Sequence, residues 1–479
     1  MERVVIAVIM HEGRVLVEEL REDVRNAYGG VPAVLPGGKR EATDVSDAAA
    51  VQREILQDLG ISVAIVGVIA TRVHPLVPNN EMIYLHCAVV GEIPKSPLHK
   101  KIKTIHFADV MTAARMMLTL YTKVFAYLLR QLDAMTLKNV ASYVELPWYE
   151  QNLEAFGNRV RQGELVAFPT ETVYGLGADA TSESAAAKIF AAKRRPADNP
   201  LIVHVSSLDE IEKVAASVSP TEAALFQHFS PGPLTVLLKK STYIPDLVTA
   251  KSKLVGVRIP NLSFALELLQ KAEVPIAAPS ANISGKPSAT HHKHVQEYFS
   301  EPEVATIRAG ATPLGVESTV VLAPNDEEIQ ILRQGAITEE EIQAQFPNKK
   351  IHIPSKRGSA NTPVPGSKYR HYAPKGKIHL VPVGSVAKTA QKITKLLGKL
   401  PKDTTIVLCT EEVAQKLAKS AKKIILGSES EFTKIVGNLY HALIECDARR
   451  VEHIIAQSYA KNGLGATIME RLTRAAEPA

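Results

Sequence analysis

From residue 377 to the end of the chain, short apolar runs alternate with helical stretches. The order is KIHLVPV, a helix to Leu400, TTIVLCT, a short helix, KKIILG, a long helix to Arg449, VEHIIAQ and a final helix. An apolar strand that repeatedly gives way to a helix has to return to the same sheet, so this order predicts a small doubly wound, Rossmann-like domain over 375–479. A Gly follows the first strand, but the G-x-G-x-x-G spacing that cradles a pyrophosphate does not, and no dinucleotide site is indicated there. Just upstream, HIPSKRGSANTPVPGSK carries Pro, Gly and Ser without an apolar period and reads as a linker over 347–374.

The remaining chain divides again, as expected for 479 residues, more than one hydrophobic core usually organises. Residues 149–346 read as one α/β domain. It has a helix to about Arg161, strand LVAF, a helix ending at AAKRR and strand LIVHV, followed by strands in TVLL, VGVRI, PIAAPS, ATIRA, STVVL and IQIL. Residues 1–140 read as a mixed α/β unit with strands VVIAVIM and RVLVEEL, a PGG turn, a helix near 46–59, β-rich segments through Val90 and a helix over 109–132. With 46% hydrophobic and 22% charged residues, the composition is that of a globular protein. Cys87, Cys409 and Cys446 sit far apart in or beside apolar runs, the setting of buried thiols in a reducing compartment. The opening MERVVIAVIM is too short and too acidic for a signal core and no stretch reaches membrane-spanning length, so a cytoplasmic protein with no membrane partner is expected. A net charge of +6 suits anionic ligands such as nucleotides or RNA without deciding between them.

Four segments of the middle domain concentrate polar residues at strand ends, where α/β folds place ligands: 169–177, 191–204, 278–290 and 315–321. In PTETVYGLG, Thr170, Thr172 and Tyr174 follow a strand, and Gly175 and Gly177 permit close backbone approach. Lys193 and Arg195 lie two apart where a helix gives way to Pro, so both can reach one anion, and a polyphosphate fits the pair. Arg258 is a charge inside a strand and needs an anionic partner or solvent. Taken singly, each signal has a plain structural reading: a solvated basic patch for K-x-R, a turn for Ser-Ala-Asn, a satisfied core residue for His204. Their joint occurrence is the informative part.

In this order, Lys193 and Arg195, Ser280 and Asn282, and the segments PTETVYGLG, NPLIVHV, VRIPN and GVESTVV resemble the YrdC-like threonylcarbamoyl-AMP synthases. PGSKYRHYAP and NGLGATIMERLTRA resemble the long form with a C-terminal domain, although Ser367 stands where Met is usual. The resemblance implies a twisted α/β domain with a concave basic cavity. There L-threonine, bicarbonate or CO2, and ATP with Mg2+ would give threonylcarbamoyl-AMP and pyrophosphate, the adenylate serving tRNA modification. It implies that Thr170, Tyr174, His204, Arg258 and Ser318 hold threonine, and that Ser280, Asn282, Arg333 and Tyr369 contact the nucleotide beside the catalytic Lys193 and Arg195. Tyr369, Arg370, His371 and Tyr372 would close over the cavity as a lid that keeps water from a labile carbamate.

The segment GGKREATDVSDAAAVQREILQDLGI resembles the Nudix box, which implies an N-terminal Nudix-like α/β sandwich with Glu54 and Asp58 as metal ligands on one helix face. Gln57 replaces an expected Glu, and Gly38 and Arg53 stand one residue further apart than usual, so an impaired hydrolase is expected. Two other readings stay open. A nonenzymatic RNA-binding module could use the lysines between Lys388 and Lys423, although that stretch has no interleaved aromatics. Alternatively, Nudix pyrophosphohydrolysis is the main activity.

Overall fold

The computed structural model describes residues 2–11, 14–20, 33–73, 80–90, 102–109, 153–301, 303–354 and 372–477. The chain falls into two compact units, Met1–Gln151 with Asn261–Leu266, and Asn152–Pro260 with Glu267–Ala479. The middle and C-terminal domains expected from the sequence therefore lie within one unit.

In the smaller unit, strand Glu2–His11 pairs in parallel with Asn80–Val90 and antiparallel with Gly37–Lys39, and Asn80–Val90 pairs antiparallel with Ser62–Val73. Strand Ile102–Asp109 pairs with Arg14–Leu20, a pairing the sequence reading did not anticipate. The helix expected over 109–132 lies outside the described residues. Helix Asp47–Leu59 begins where Ser46 accepts the Ala49 N–H at 3.1 Å and ends at Gly60, whose φ of 71° only glycine adopts without strain. Ala50, Val51, Ile55 and Leu59 line one face of it and pack against Val5, Ala7, Ile9, Ile83 and Leu85.

The larger unit holds two sheets. One has eleven strands of mixed direction. At its centre Ile202–His204 runs parallel to Leu254–Arg258, and Leu254–Arg258 runs antiparallel to Leu234–Lys240. The other has four parallel strands in the order Lys377–Val381, His453–Gln457, Thr405–Cys409, Lys423–Ile425. Successive side chains along these strands alternate between two cores. Ile378, Ile406, Leu408 and Ile454 meet helices Phe432–Ala448 and Gly463–Ala476, whereas Val381, Val407, Cys409 and Ile455 meet Val386–Leu397 and Glu411–Lys416. A sheet buried on both faces needs continuous apolar runs, which is why these strands were legible as TTIVLCT and VEHIIAQ. All three cysteines are buried and free, and burial pushes each thiol up to about 12. Among the described residues no helix is long and apolar enough to cross a membrane.

Candidate active site

A cavity of about 730 Å³, counted out to its mouth, lies in the larger unit where strand ends converge. Parallel register places His204 directly beside Arg258, so the last residues of two strands reach the cavity together. Thr170 and Thr172 come from the loop after Leu165–Phe168, and Ser280 and Asn282 follow the short strand Ile276–Ala277. Ser318 precedes strand Thr319–Asn325, and Arg333 ends its antiparallel partner, Glu328–Arg333. Lys193 is the last residue of helix Glu183–Lys193. Arg194 then takes a left-handed φ of 51°, which turns the chain so that Arg195 also enters the lining.

Among the described residues, five cationic side chains line the cavity: Lys193, Arg195, Arg258, Lys286 and Arg333. Backbone oxygens and amides hold most of them in place. Lys193 Nζ donates to the carbonyls of Ser280 and Asn282, at 2.5 Å each. Arg195 donates from Nη2 to Asn199 Oδ1 and to the Pro200 carbonyl, at 2.7 Å each, and from Nε to the Asn199 carbonyl at 3.0 Å. Its fork is thus used for anchoring rather than aimed whole at an anion, as the K-x-R spacing suggested. Burial, reinforced by Arg195, pulls the Lys193 ammonium well below its ordinary range; burial and Arg333 push Arg195 down to about 9. Shifts in this direction mark cations crowded out of water, a state that an anionic ligand relieves.

The other end of the cavity is quieter. Burial, then Arg258, pushes His204 down to about 3, so its imidazole is neutral at pH 7, and its buried Nδ1 has no hydrogen-bond partner. Arg258 donates from Nε to the Gly232 carbonyl at 3.2 Å, and its Nη2 lies 2.6 Å from Oε1 of the wholly buried Glu171. That ion pair falls outside hydrogen-bond angles, leaving both Glu171 oxygens without a hydrogen bond. Thr170 and Thr172 share a 2.7 Å hydrogen bond, as do Thr235 and Ser318. Arg333 donates to the Ser318 carbonyl at 2.9 Å and its hydroxyl at 3.0 Å, while the Ser280 hydroxyl donates to Asn282 Oδ1 at 2.5 Å.

Besides Gly175 and Tyr372, ten positions singled out from the sequence therefore meet around one cavity: Thr170, Thr172, Lys193, Arg195, His204, Arg258, Ser280, Asn282, Ser318 and Arg333. Tyr174 does not. Its hydroxyl donates to the Gly310 carbonyl at 2.9 Å and accepts from the Ala309 N–H at 3.1 Å, so the phenol ties down a neighbouring loop instead of facing the cavity. Gly177 likewise makes room for protein: a Cβ there would stand 2.7 Å from both Ile276 and Phe168. Tyr369 lies outside the described residues; Tyr372, from the expected lid, lines the cavity. Sequence reasoning missed Glu171, Lys286, Ser288 and Glu317. The signal was present for Glu317, a carboxylate in the otherwise uncharged run GVESTVV, which had to have a buried partner.

In the smaller unit, Glu54 bonds Arg53 at 2.8 Å rather than standing open. Glu18 is pushed up to about 8 by burial, then by Asp58 and Glu54. Among the described residues no three His, Cys, Asp or Glu side chains gather as a set able to hold a metal ion.

A mixed α/β fold whose strand ends, loops and a helix end bring five cations around a small-molecule cavity defines an anion-binding α/β enzyme. The comparisons with known proteins narrow that class. Residues 158–335 match the family of Sua5, YciO and YrdC proteins described as telomere recombination, and residues 337–477 match the threonylcarbamoyl-AMP synthase C-terminal domain. The threonylcarbamoyl-AMP synthase of Pyrococcus abyssi is 41% identical over 317 residues, which cover 66% of this chain and 91% of that one. The Bacillus subtilis threonylcarbamoyl-AMP synthase is 38% identical, over 66% of this chain and 90% of its own. The crystal structure of P. abyssi Sua5 complexed with L-threonine superposes with a TM-score of 0.62 at 39% identity, covering 68% of this chain and 94% of that one. The chain belongs to the threonylcarbamoyl-AMP synthase family.

Proposed function

We propose that the larger unit joins L-threonine, CO2 from bicarbonate, and ATP into threonylcarbamoyl-AMP. The neutral amine of threonine attacks CO2 and loses a proton to give a carbamate. A carbamate oxygen then attacks the α-phosphorus of ATP, and the bond to the bridging oxygen breaks to release pyrophosphate. The observation that carries this reading is the charge of the cavity: five cations and, among the described lining residues, one carboxylate. Charge accumulates on carbamate and triphosphate together, and cations already held in place by protein acceptors stabilise it without reorganising.

On this reading Lys193, Arg195, Ser280, Asn282 and Arg333 face the nucleotide, while Thr170, His204, Arg258 and Ser318 face threonine. A neutral His204 with an unpartnered Nδ1 can meet the threonine hydroxyl without adding charge. Glu317, the lining carboxylate, already accepts from Ser288, Tyr440 and Arg471 and is poorly placed to ligate a metal; Mg2+ would enter with the triphosphate as part of the substrate. Tyr369 belongs to the segment we assign as a lid, and the adenylate would pass to a tRNA-modifying enzyme in a reducing, cytoplasmic compartment. For the smaller unit we propose an impaired Nudix-like domain, since Arg53 occupies Glu54 and Gln57 is uncharged.

The test is pyrophosphate release from ATP and Mg2+, with threonine and bicarbonate omitted singly and the adenylate resolved by chromatography. Release that needs both co-substrates is expected. Release with neither would move the activity to the smaller unit, and none at all would favour the RNA-binding reading.

A further inference from the structure

The loop carrying Glu317 and Ser318 walls the cavity on one side and meets the C-terminal domain on the other. A Cβ at Gly315 would stand 2.4 Å from the Gly437 carbonyl, so the loop and helix Phe432–Ala448 touch backbone to backbone. Across this contact both oxygens of the Glu317 carboxylate accept hydrogen bonds. Oε1 accepts from the Ser288 hydroxyl at 2.5 Å, and Oε2 accepts from the Tyr440 hydroxyl at 2.8 Å and from Arg471 Nε at 3.0 Å. Arg471, on the last helix, is wholly buried. It also donates to the Gln334 carbonyl at 2.9 Å and to Glu470 Oε2 at 3.0 Å. Its guanidinium carbon lies 5.0 Å from the centroid of the Tyr372 ring, which stacks on Tyr440 at 5.2 Å.

We propose that Arg471, seconded by Tyr440, is a positioning residue for the synthase cavity: it answers the Glu317 charge from behind, so that the cationic charge of the cavity is left for the triphosphate. A buried carboxylate stripped of its partner keeps its field, and in a low-dielectric site that field reaches the next cation. The cations it would reach are Lys193 and Arg333, both of which already feel Glu317. Burial alone would raise the Glu317 carboxyl, yet Arg471, then Arg333 and the Ser288 hydrogen bond, hold it below the ordinary carboxylate range; it is charged at neutral pH and has to be balanced. The C-terminal domain thereby enters the electrostatics of a cavity that none of its described side chains after Tyr372 lines.

This inference rests on the reading of the cavity cations as the seat of the triphosphate. It is tested on the full chain by steady-state pyrophosphate release, with KM measured separately for ATP and threonine. R471Q is expected to raise the KM for ATP by about tenfold or more and to move the KM for threonine by less than about twofold, with R471K in between. Adding E317Q to R471Q removes the unbalanced charge and should return the KM for ATP toward the wild-type value. A merely structural role gives the opposite pattern, a double variant no better than R471Q and both KM values shifted together, and would overturn the proposal. Should R471Q not fold, Tyr440→Phe deletes a single donor and should still raise the KM for ATP by about two- to fivefold; no change there overturns the proposal equally. Wild-type protein that releases no pyrophosphate removes the underlying reading, whereas an active wild type with an unaltered R471Q overturns this inference alone.

Discussion

Two charged regions of this chain are built on opposite terms. In the cavity of the larger unit, Lys193 is held by two carbonyls, Arg195 by an amide and two carbonyls, and Arg258 by Glu171 behind it. In the smaller unit, burial, then Asp58 and Glu54, push the Glu18 carboxyl up to about 8; Arg53 bonds Glu54 and Asp44, and buried Glu18 Oε1 has no hydrogen-bond partner. The first arrangement keeps like charges close by giving each its own acceptors. The second relieves crowding by protonation of Glu18. One region is prepared to receive an anion, whereas in the other a buried carboxyl holds its proton at neutral pH.

The largest effects test the prepared region. Lys193→Ala or Arg195→Ala should reduce threonine- and bicarbonate-dependent pyrophosphate release at least about a hundredfold, the scale for loss of a fixed group that stabilises developing charge. Turnover near wild type in both variants would sink the assignment of these cations. Next comes the support behind them. Glu171→Gln leaves Arg258 buried against a neutral amide, which should cost on the order of 3 kcal/mol of stability in urea unfolding. In enzyme that remains folded, the KM for threonine should rise more than that for ATP. Equal rises would mean that Arg258 does not divide the cavity as proposed.

How much of this was legible in the sequence follows from the same physics. The four parallel strands of the C-terminal domain were readable because a sheet covered on both faces writes itself as uninterrupted apolar runs. The cavity residues were readable because Lys193 and Arg195, Ser280 and Asn282 keep a fixed spacing within recognisable segments. Tyr174 misled for the complementary reason: a phenol in a polar loop looks like a ligand contact, and only the fold shows the Gly310 carbonyl, 136 residues away in sequence, waiting for it. Strand Ile102–Asp109 went unseen because IKTIHFAD is a short run whose strand character depends on pairing with Arg14–Leu20, far away in sequence. Arg471 was invisible as a site residue, since its partner Glu317 is 154 residues away.

A middle-sized effect belongs to the unprepared region. Glu18 has a folded-state carboxyl at about 8 against an ordinary 4.5, so between those values the native state holds a proton that the unfolded chain has lost. Stability from this group is fully present below pH 4.5 and is lost as pH rises toward 8. Glu18→Gln should flatten that slope and gain on the order of 2 kcal/mol over wild type at pH 8 relative to pH 5. Thermal unfolding of the full chain at the two pH values reads it, and identical slopes would show that Glu18 is better solvated than its burial implies.

The smallest expected effect sharpens the comparison most. Glu54→Ala removes the carboxylate that a Nudix-like metal site would need first, and the bonds it breaks, chiefly the one with Arg53, lie within the smaller unit. If the two regions are independent, threonylcarbamoyl-AMP synthesis should stay within about twofold of wild type, since changes away from a site leave its transition-state stabilisation untouched. Arg53 would keep Asp44 at 2.8 Å, so the helix start should survive and the variant should fold. A loss of tenfold or more would mean that the smaller unit sets the state of the cavity, and its crowded carboxylates would then have to be read as part of the synthase rather than as the remnant of another enzyme.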